Sequence, residues 1–225
     1  MTDDVVRLMA VNVGRPALLG QHRGQPVTSG IVKHRVEADE MWLDWVNLEG
    51  DGQADPESHG GRDKAVYAYP SEHLPLWSTE LGVPLVAGAA AFGENLSTAG
   101  WTEDDVRIGD TWAWGDAVLQ VTQPRWPCYK LAIHRGRGDI QRRFRESGRT
   151  GWYLRVLEPG RVPVAGPVTV VERHPAEASV RLAHDARSPS GGVPDDVVAA
   201  LASLPELSTE WKLGLASRLS ASGFG

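Results

Sequence analysis

Cysteine is almost missing from this chain: of 225 residues, only Cys128 carries a thiol. One thiol cannot close an internal disulfide, and it cannot supply a zinc ribbon or an iron–sulfur cluster. The seven histidines show no His-Glu-x-x-His spacing, which excludes a helix-borne zinc protease site. No Gly-x-Gly-x-x-Gly follows a strand pattern and no Walker-type loop is present, so neither dinucleotide nor nucleotide fingerprints are visible. Basic residues are in deficit. Lys and Arg number 23 against 29 Asp and Glu, a formal net charge of −6, and no basic run offsets it. Nucleic acid is therefore excluded as a bulk electrostatic partner. No apolar run approaches a membrane span. Met1-Thr2-Asp3-Asp4 is acidic and leads into no secretory-type apolar stretch, so the expected compartment is the cytoplasm.

What is present is a globular composition of sufficient length for a large core and a small appendage. Residues 5–13 read as a first strand, 20–30 as a polar loop, 31–36 as a short β-branched run, and 41–46 as a further strand. Residues 48–53 are a glycine-punctuated loop, and 65–69 alternate as a half-buried strand. A helix capped by Ser71 and stopped by Gly82 follows, with Pro75 early enough to be tolerated. Residues 111–114 and 117–122 form strands across a tight Gly115-Asp116 turn. A second helix spans 139–147, and strands over 151–157 and 168–172 are separated by a turn-rich 158–167. Many short strands with a few inserted helices predict a mixed α+β fold, mainly β: a β-barrel with peripheral helices. The composition changes after His174-Pro175, where three helical patterns follow over 178–186, 195–204 and 208–219. The predicted division is 1–173 for the barrel and 174–225 for a three-helix extension. In that extension Trp211, Leu215 and Leu219 make one apolar face that needs a surface to cover it.

Cys128 stands in Gln123-Pro124-Arg125-Trp126-Pro127-Cys128-Tyr129-Lys130-Leu131. Its use is packing, as a small buried hydrophobe, or thiol chemistry. Arg125 and Lys130 place positive charge on either side, and Pro127 suits the first position of a helix through Ile133. A thiol so placed has a lowered pKa, and the thiolate is the form that attacks electrophiles or binds metals. His59, His73 and His134 are available as bases for nucleophilic chemistry, though spacing marks none of them.

Upstream stand His59-Gly60-Gly61-Arg62-Asp63-Lys64-Ala65-Val66-Tyr67-Ala68-Tyr69-Pro70, then Phe92-Gly93-Glu94-Asn95-Leu96-Ser97-Thr98, then Ile108-Gly109-Asp110. In this order, and with the cysteine segment, they resemble the MOSC family, named for the C-terminal domain of molybdenum cofactor sulfurases, and within it the YiiM-like bacterial branch. The resemblance runs from about residue 11 to 172, and the helical tail resembles that branch's extension. It implies a β-barrel with peripheral helices and a bound molybdenum cofactor, with Cys128 as both the catalytic and the metal-ligating residue. It further implies reduction of N-hydroxylated compounds of the hydroxylaminopurine or amidoxime type, which detoxifies base analogues. An external electron donor such as a flavoprotein reductase would be required, and a homodimer would fit the family. The alternative is a sulfur carrier or cofactor-handling protein using a Cys128 persulfide.

On that resemblance the cofactor-binding residues are Lys33, His59, Gly60, Gly61, Lys64, Asn95, Arg125 and Lys130. The Gly60-Gly61 turn can present backbone N–H groups to an anion, although locally it is equally a turn before a strand. Lys64 and Arg125 suit a phosphate, and Asn95 can donate to a phosphate or to pterin nitrogens. Glu94 either orients a cation or meets substrate. Lys33 and Arg35 belong to an early strand whose plain reading is a solvated face. Trp126 either packs or stacks on a planar heterocycle. The tail has no cysteine and no glycine-rich anion loop, so no cofactor ligand is expected from it.

Overall fold

The computed structural model describes residues 4–55 and 60–222. Strands β1 (Val5–Val13), β6 (Val66–Pro70), β7 (Leu96–Ala99), β8 (Thr111–Trp114), β9 (Ala117–Pro124), β10 (Trp152–Glu158) and β12 (Gly166–Glu172) run in the order β12-β8-β9-β10-β6-β7-β1. Pairing of β1 with β12, from Val5 opposite Thr169 to Leu8 opposite Gly166, closes them into a seven-stranded barrel. Closure removes the sheet's free edges. Only β6 and β7 are parallel among these pairs. Their crossover carries helix α1 (Leu74–Leu81). Inside the barrel lie Trp112, Trp114 and Trp152, none exposed, with Trp112 and Trp152 edge to face at 5.9 Å.

A second core lies outside the barrel wall. Tyr69 of β6, Trp77 of α1 and Phe92 pack with Leu131 of α2 (Tyr129–Arg135) and with Ile140 and Phe144 of α3 (Ile140–Ser147). Trp77 stacks on Phe144 at 4.8 Å, and Phe92 meets Phe144 edge-on at 4.7 Å. The residues that follow Cys128 are thereby fixed to the barrel. It also explains why β6 is buried at every position rather than alternating: one face looks into the barrel and the other into this cluster.

Other departures have local causes. Residues 20–30 are no loop but most of a hairpin, β2 (Ala17–His22) with β3 (Gln25–Ser29). Arg23 and Gly24 have φ of 50° and 78°, the positive pair that a two-residue hairpin turn demands. Its residues are largely exposed, so no apolar alternation marks them. The run 31–36 contributes only β4 (His34–Arg35), paired to the end of β1. Strand β5 (Glu40–Leu43) pairs with β11 (Gly160–Pro163) inside the segment expected to be turns. The terminal Gly160 and Pro163 hid that strand, since both weaken a strand signal. Ser71 opens a 3₁₀ turn and does not cap α1, whose side-chain cap is absent, but Gly82 stops that helix with φ 68°.

The tail forms α4 (Val180–Arg187), α5 (Asp195–Ser203) and α6 (Thr209–Ser222). Ser179 caps α4 by accepting from the Leu182 N–H at 3.0 Å. Backbone bonds Ile108 N–H to Ala178 O and Ser208 N–H to Thr122 O join tail to barrel. Trp211 and Leu215 are fully buried and continuous with the barrel's apolar core. Among the described residues no helix is long and apolar enough to cross a membrane.

Candidate functional site

Strands β9, β10 and β6 build one wall of a cleft by register alone. Gln123 lies opposite Tyr153, and Tyr153 opposite Tyr67, so the three side chains share a face, and all three line the cleft. At the end of β9 the chain leaves the barrel through Arg125, Trp126 and Cys128, which line it as well. Cys128, with φ −112° and ψ 175°, is the N-cap of α2. The helix therefore begins at Tyr129 rather than at Pro127, because the extended backbone at Cys128 delays the first helical turn. Cys128 is half-buried, and it lies near enough that a thiolate there would raise the pKa of both Arg125 and Tyr153.

Six of the residues expected at the site meet in this cleft: Lys33, Lys64, Asn95, Arg125, Cys128 and Lys130. Arg125 is 6% exposed. Its Nη1 donates to Tyr67 Oη at 3.1 Å and to Phe92 O at 2.8 Å, and its guanidinium lies 4.7 Å from the Tyr67 ring. These contacts fix the charge in place. Burial holds the Tyr67 and Tyr153 hydroxyls above their ordinary pKa despite Arg125, so both are protonated. Lys130 is 8% exposed, yet its ammonium makes no hydrogen bond or ion pair among the described residues. Gln123 Oε1 is likewise buried and without a partner.

Lys33 and Asn95 are more committed. Asp51 is the hub: it pairs with the Lys33 ammonium, accepts from the Gly14 N–H at 2.8 Å and accepts from Asn95 Nδ2 at 2.8 Å. Burial, ahead of the opposing pull of Asp51 and Glu94, lowers the Lys33 pKa. The second N–H of Asn95 goes to Asn12 O at 3.1 Å, and its Oδ1 accepts from the Tyr67 N–H at 3.1 Å. Asn95 thus staples β1, β6 and the 51-loop together, and donating to a ligand would require it to release one of these bonds. Glu94 is buried beneath the cleft, where its carboxylate accepts from the Phe92 N–H at 2.9 Å. Burial raises its pKa.

Gly60 and Gly61 do not line the cleft. The Gly61 N–H donates to Gln53 Oε1 at 2.7 Å, and the turn's contribution is to start the 3₁₀ segment Arg62–Lys64. Thr122 Oγ1 holds that segment by donating to Asp63 O at 2.7 Å, which aims Lys64 at the cleft. His59 lies outside the described residues. Arg35 is exposed and away from the cleft. His73 is bound to Glu103 at 2.6 Å. Burial, then Arg135 and Arg125, push His134 down to about 4. Neither histidine lines the cleft.

The tail does reach the site. Glu210 of α6 lines the cleft and its Oε2 lies 2.5 Å from Lys64 Nζ. Trp126 forms the rim, edge to face with Trp211 at 5.9 Å. Tyr153 had a sequence signal, since it neighbours the inward Trp152 on an alternating strand. Asp51 and Glu210 had none, because acids in loops and on helix surfaces are usually solvated.

The arrangement places four basic side chains, a thiol and two neutral hydroxyls around one opening, with Asp51, Asp55 and Glu210 on the same lining; the basic excess suits an anionic ligand and an ionised sulfur. A family profile described as the MOSC domain matches residues 55–169. YflK of Bacillus subtilis is 42% identical over 193 residues, covering 84% of this chain and 86% of its own. YiiM of Escherichia coli is 44% identical over 151 residues, covering 67% and 66%. A protein of Gibberella moniliformis named "Reductase" is 34% identical over 152 residues, and the match spans 67% of this chain but only 27% of that one. The crystal structure of YiiM from Geobacillus stearothermophilus superposes with a TM-score of 0.77 at 32% identity, over 95% of this chain and 99% of that one.

Proposed function

The chain belongs to the MOSC domain family, and on that premise we propose that it is a molybdenum-cofactor-dependent reductase of N-hydroxylated compounds. The observation that carries this reading is the sharing of one cleft by the chain's single thiol and a buried, unpartnered lysine, Lys130. A cation carried on a buried side chain and lacking a counter-charge is a ready partner for an anionic ligand. The phosphate of a pterin cofactor would be such a ligand, and the orphaned Gln123 Oε1 suits an N–H of its heterocycle. Among the described residues no group of three or more His, Cys, Asp or Glu could hold a metal ion. Cys128 would therefore serve a metal whose other sulfur ligands arrive with the cofactor.

In this reading Lys130, Lys64 and Arg125 bind the phosphate by charge-assisted hydrogen bonds. Arg125 also favours the thiolate of Cys128 by its fixed positive charge. The cofactor, when bound, supplies the two-electron chemistry. The overall reaction is R–NH–OH plus two protons and two electrons giving R–NH2 and water, with the electrons drawn from an external donor such as a flavoprotein reductase. Tyr153, protonated and facing the cleft beside Cys128, offers an O–H to the departing oxygen. The relative named "Reductase" supports the oxidoreductase class.

The test is expression in two hosts, one with the molybdenum cofactor pathway intact and one without it. Protein from the first is expected to carry stoichiometric molybdenum and to reduce hydroxylaminopurine with a chemical electron donor; protein from the second should do neither. A labile sulfane sulfur on Cys128 with no molybdenum in either preparation would replace this reading with that of a sulfur carrier.

A further inference from the structure

The tail's carboxylate sits where an anionic ligand would sit. Glu210 Oε2 is 2.5 Å from Lys64 Nζ, and the two side chains are 44% and 12% exposed. Its other oxygen lies 3.7 Å from Arg187 Nη1, about 0.8 Å short of a charge-assisted hydrogen bond. That Nη1 is buried and has no hydrogen-bond partner. The Arg187 guanidinium cannot readily move to meet it, because it is clamped 4.7 Å from the Trp126 ring and 4.8 Å from the Trp211 ring. Glu210 is thus bonded to a lysine of the cleft and holds a longer ion pair to a fixed arginine on its other side.

We propose that Glu210 is a displaceable stand-in for the anion of the cleft's ligand: it bonds Lys64 in cofactor-free protein and tightens its existing ion pair with Arg187 when an anion takes Lys64. The exchange needs no backbone movement, only rotation of one carboxylate across a gap shorter than a bond. Its driving force is charge. A phosphate brings up to two negative charges against one and can engage the unpartnered Lys130 of the same cleft, which Glu210 does not bond. After the exchange every member has a partner: phosphate on Lys64 and Lys130, Glu210 on Arg187. Arg187 belongs to α4 and Glu210 to α6, so cleft occupancy and the strength of the contact between these two helices become one equilibrium. The inference rests on the assignment of Lys64 to an anion made under the proposed function.

The experiment uses the full chain prepared without cofactor, with inorganic phosphate as the probe and calorimetric titration as the readout. Glu210→Gln removes the competing charge and should bind phosphate roughly fivefold or more tightly than the wild type. In a Lys64→Met background the same substitution should make no difference, because the competition is for Lys64. Thermal melting of each variant checks that the fold persists. Equal phosphate affinity in wild type and Glu210→Gln, or weaker binding in the variant, overturns the exchange while leaving the anion site standing. A tightening that persists in Lys64→Met also overturns it, since it would reflect general repulsion. Phosphate binding by none of the proteins overturns the exchange together with the assignment of Lys64.

Discussion

Lys130→Met should move stability and ligand binding in opposite directions. Lys130 is 8% exposed and belongs to α2, directly after Cys128 and Tyr129. In cofactor-free protein the side chain is largely buried, and its ammonium has no hydrogen bond or ion pair among the described residues in return. Methionine keeps the length and flexibility of the stem, so packing is nearly conserved, and the uncompensated charge is gone. Replacing a poorly paired buried charge by an apolar side chain commonly stabilises, here by about 1–2 kcal/mol. For a chain of this size that corresponds to roughly 2–8 °C in Tm. With ligand the sign reverses. A charge-assisted hydrogen bond to phosphate contributes about 1.5–3 kcal/mol, so its loss should weaken cofactor or phosphate binding roughly tenfold to a hundredfold. Denaturant unfolding of cofactor-free protein, beside metal content and phosphate titration, reads both effects. A variant that is less stable than wild type yet keeps its molybdenum and phosphate affinity would refute the reasoning, because Lys130 would then be a structural residue with partners of its own.

Three further outcomes are expected. Cys128→Ala should abolish reductase activity while circular dichroism and Tm stay close to wild type, and near-normal turnover in the purified variant would sink the thiolate assignment. Trp211→Ala should cost about 3–5 kcal/mol in urea unfolding, since Trp211 is fully buried and continuous with the barrel core; a cost below about 1 kcal/mol, outside the range for a buried aromatic, would mean the tail is energetically separate. His134 has its pKa depressed by burial and by Arg135 and Arg125 to about 4, below the ordinary histidine range. The unfolded chain therefore binds the extra proton first, and stability should be complete above about pH 6.5 and fall as pH drops from there towards 4. His134→Gln should flatten that part of the pH–stability curve, and an unchanged slope would assign it elsewhere.

The cysteine segment announced the cleft because a lone thiol between two cations is unusual in any local context, and the structure does gather Arg125, Cys128 and Lys130 round one opening. Strand periodicity likewise exposed β1, β8, β9 and β10. What the sequence concealed was partnership. Asn95 looked like a free amide, but its bonds to Asp51 and Asn12 come from residues 44 and 83 positions away. Asp51 sat in a loop with nothing to distinguish it from a solvated acid. The extension was expected to stay clear of the site because it lacks thiols and anion loops, yet Glu210 enters through packing of α6, which no motif encodes. The β2–β3 hairpin escaped notice for the opposite reason: it is held by backbone pairing with few buried side chains, so its residues carry no apolar rhythm.

The closure of the barrel sets a timetable for the emerging chain. Strand β1 finds one neighbour in β7, with Val11 opposite Leu96, but its other edge waits for β12, about 160 residues later in synthesis. At ribosomal speeds of roughly 5–20 residues per second, that interval lasts on the order of ten seconds or more. Throughout it the first strand presents unpaired N–H and C=O groups beside apolar side chains, the template on which another nascent chain can add. Contacts so distant in sequence are also slow to form in refolding. Yield on expression should therefore depend on translation rate and on chaperones that cover a strand edge, and an early stop before β12 should give an aggregating fragment rather than a smaller barrel.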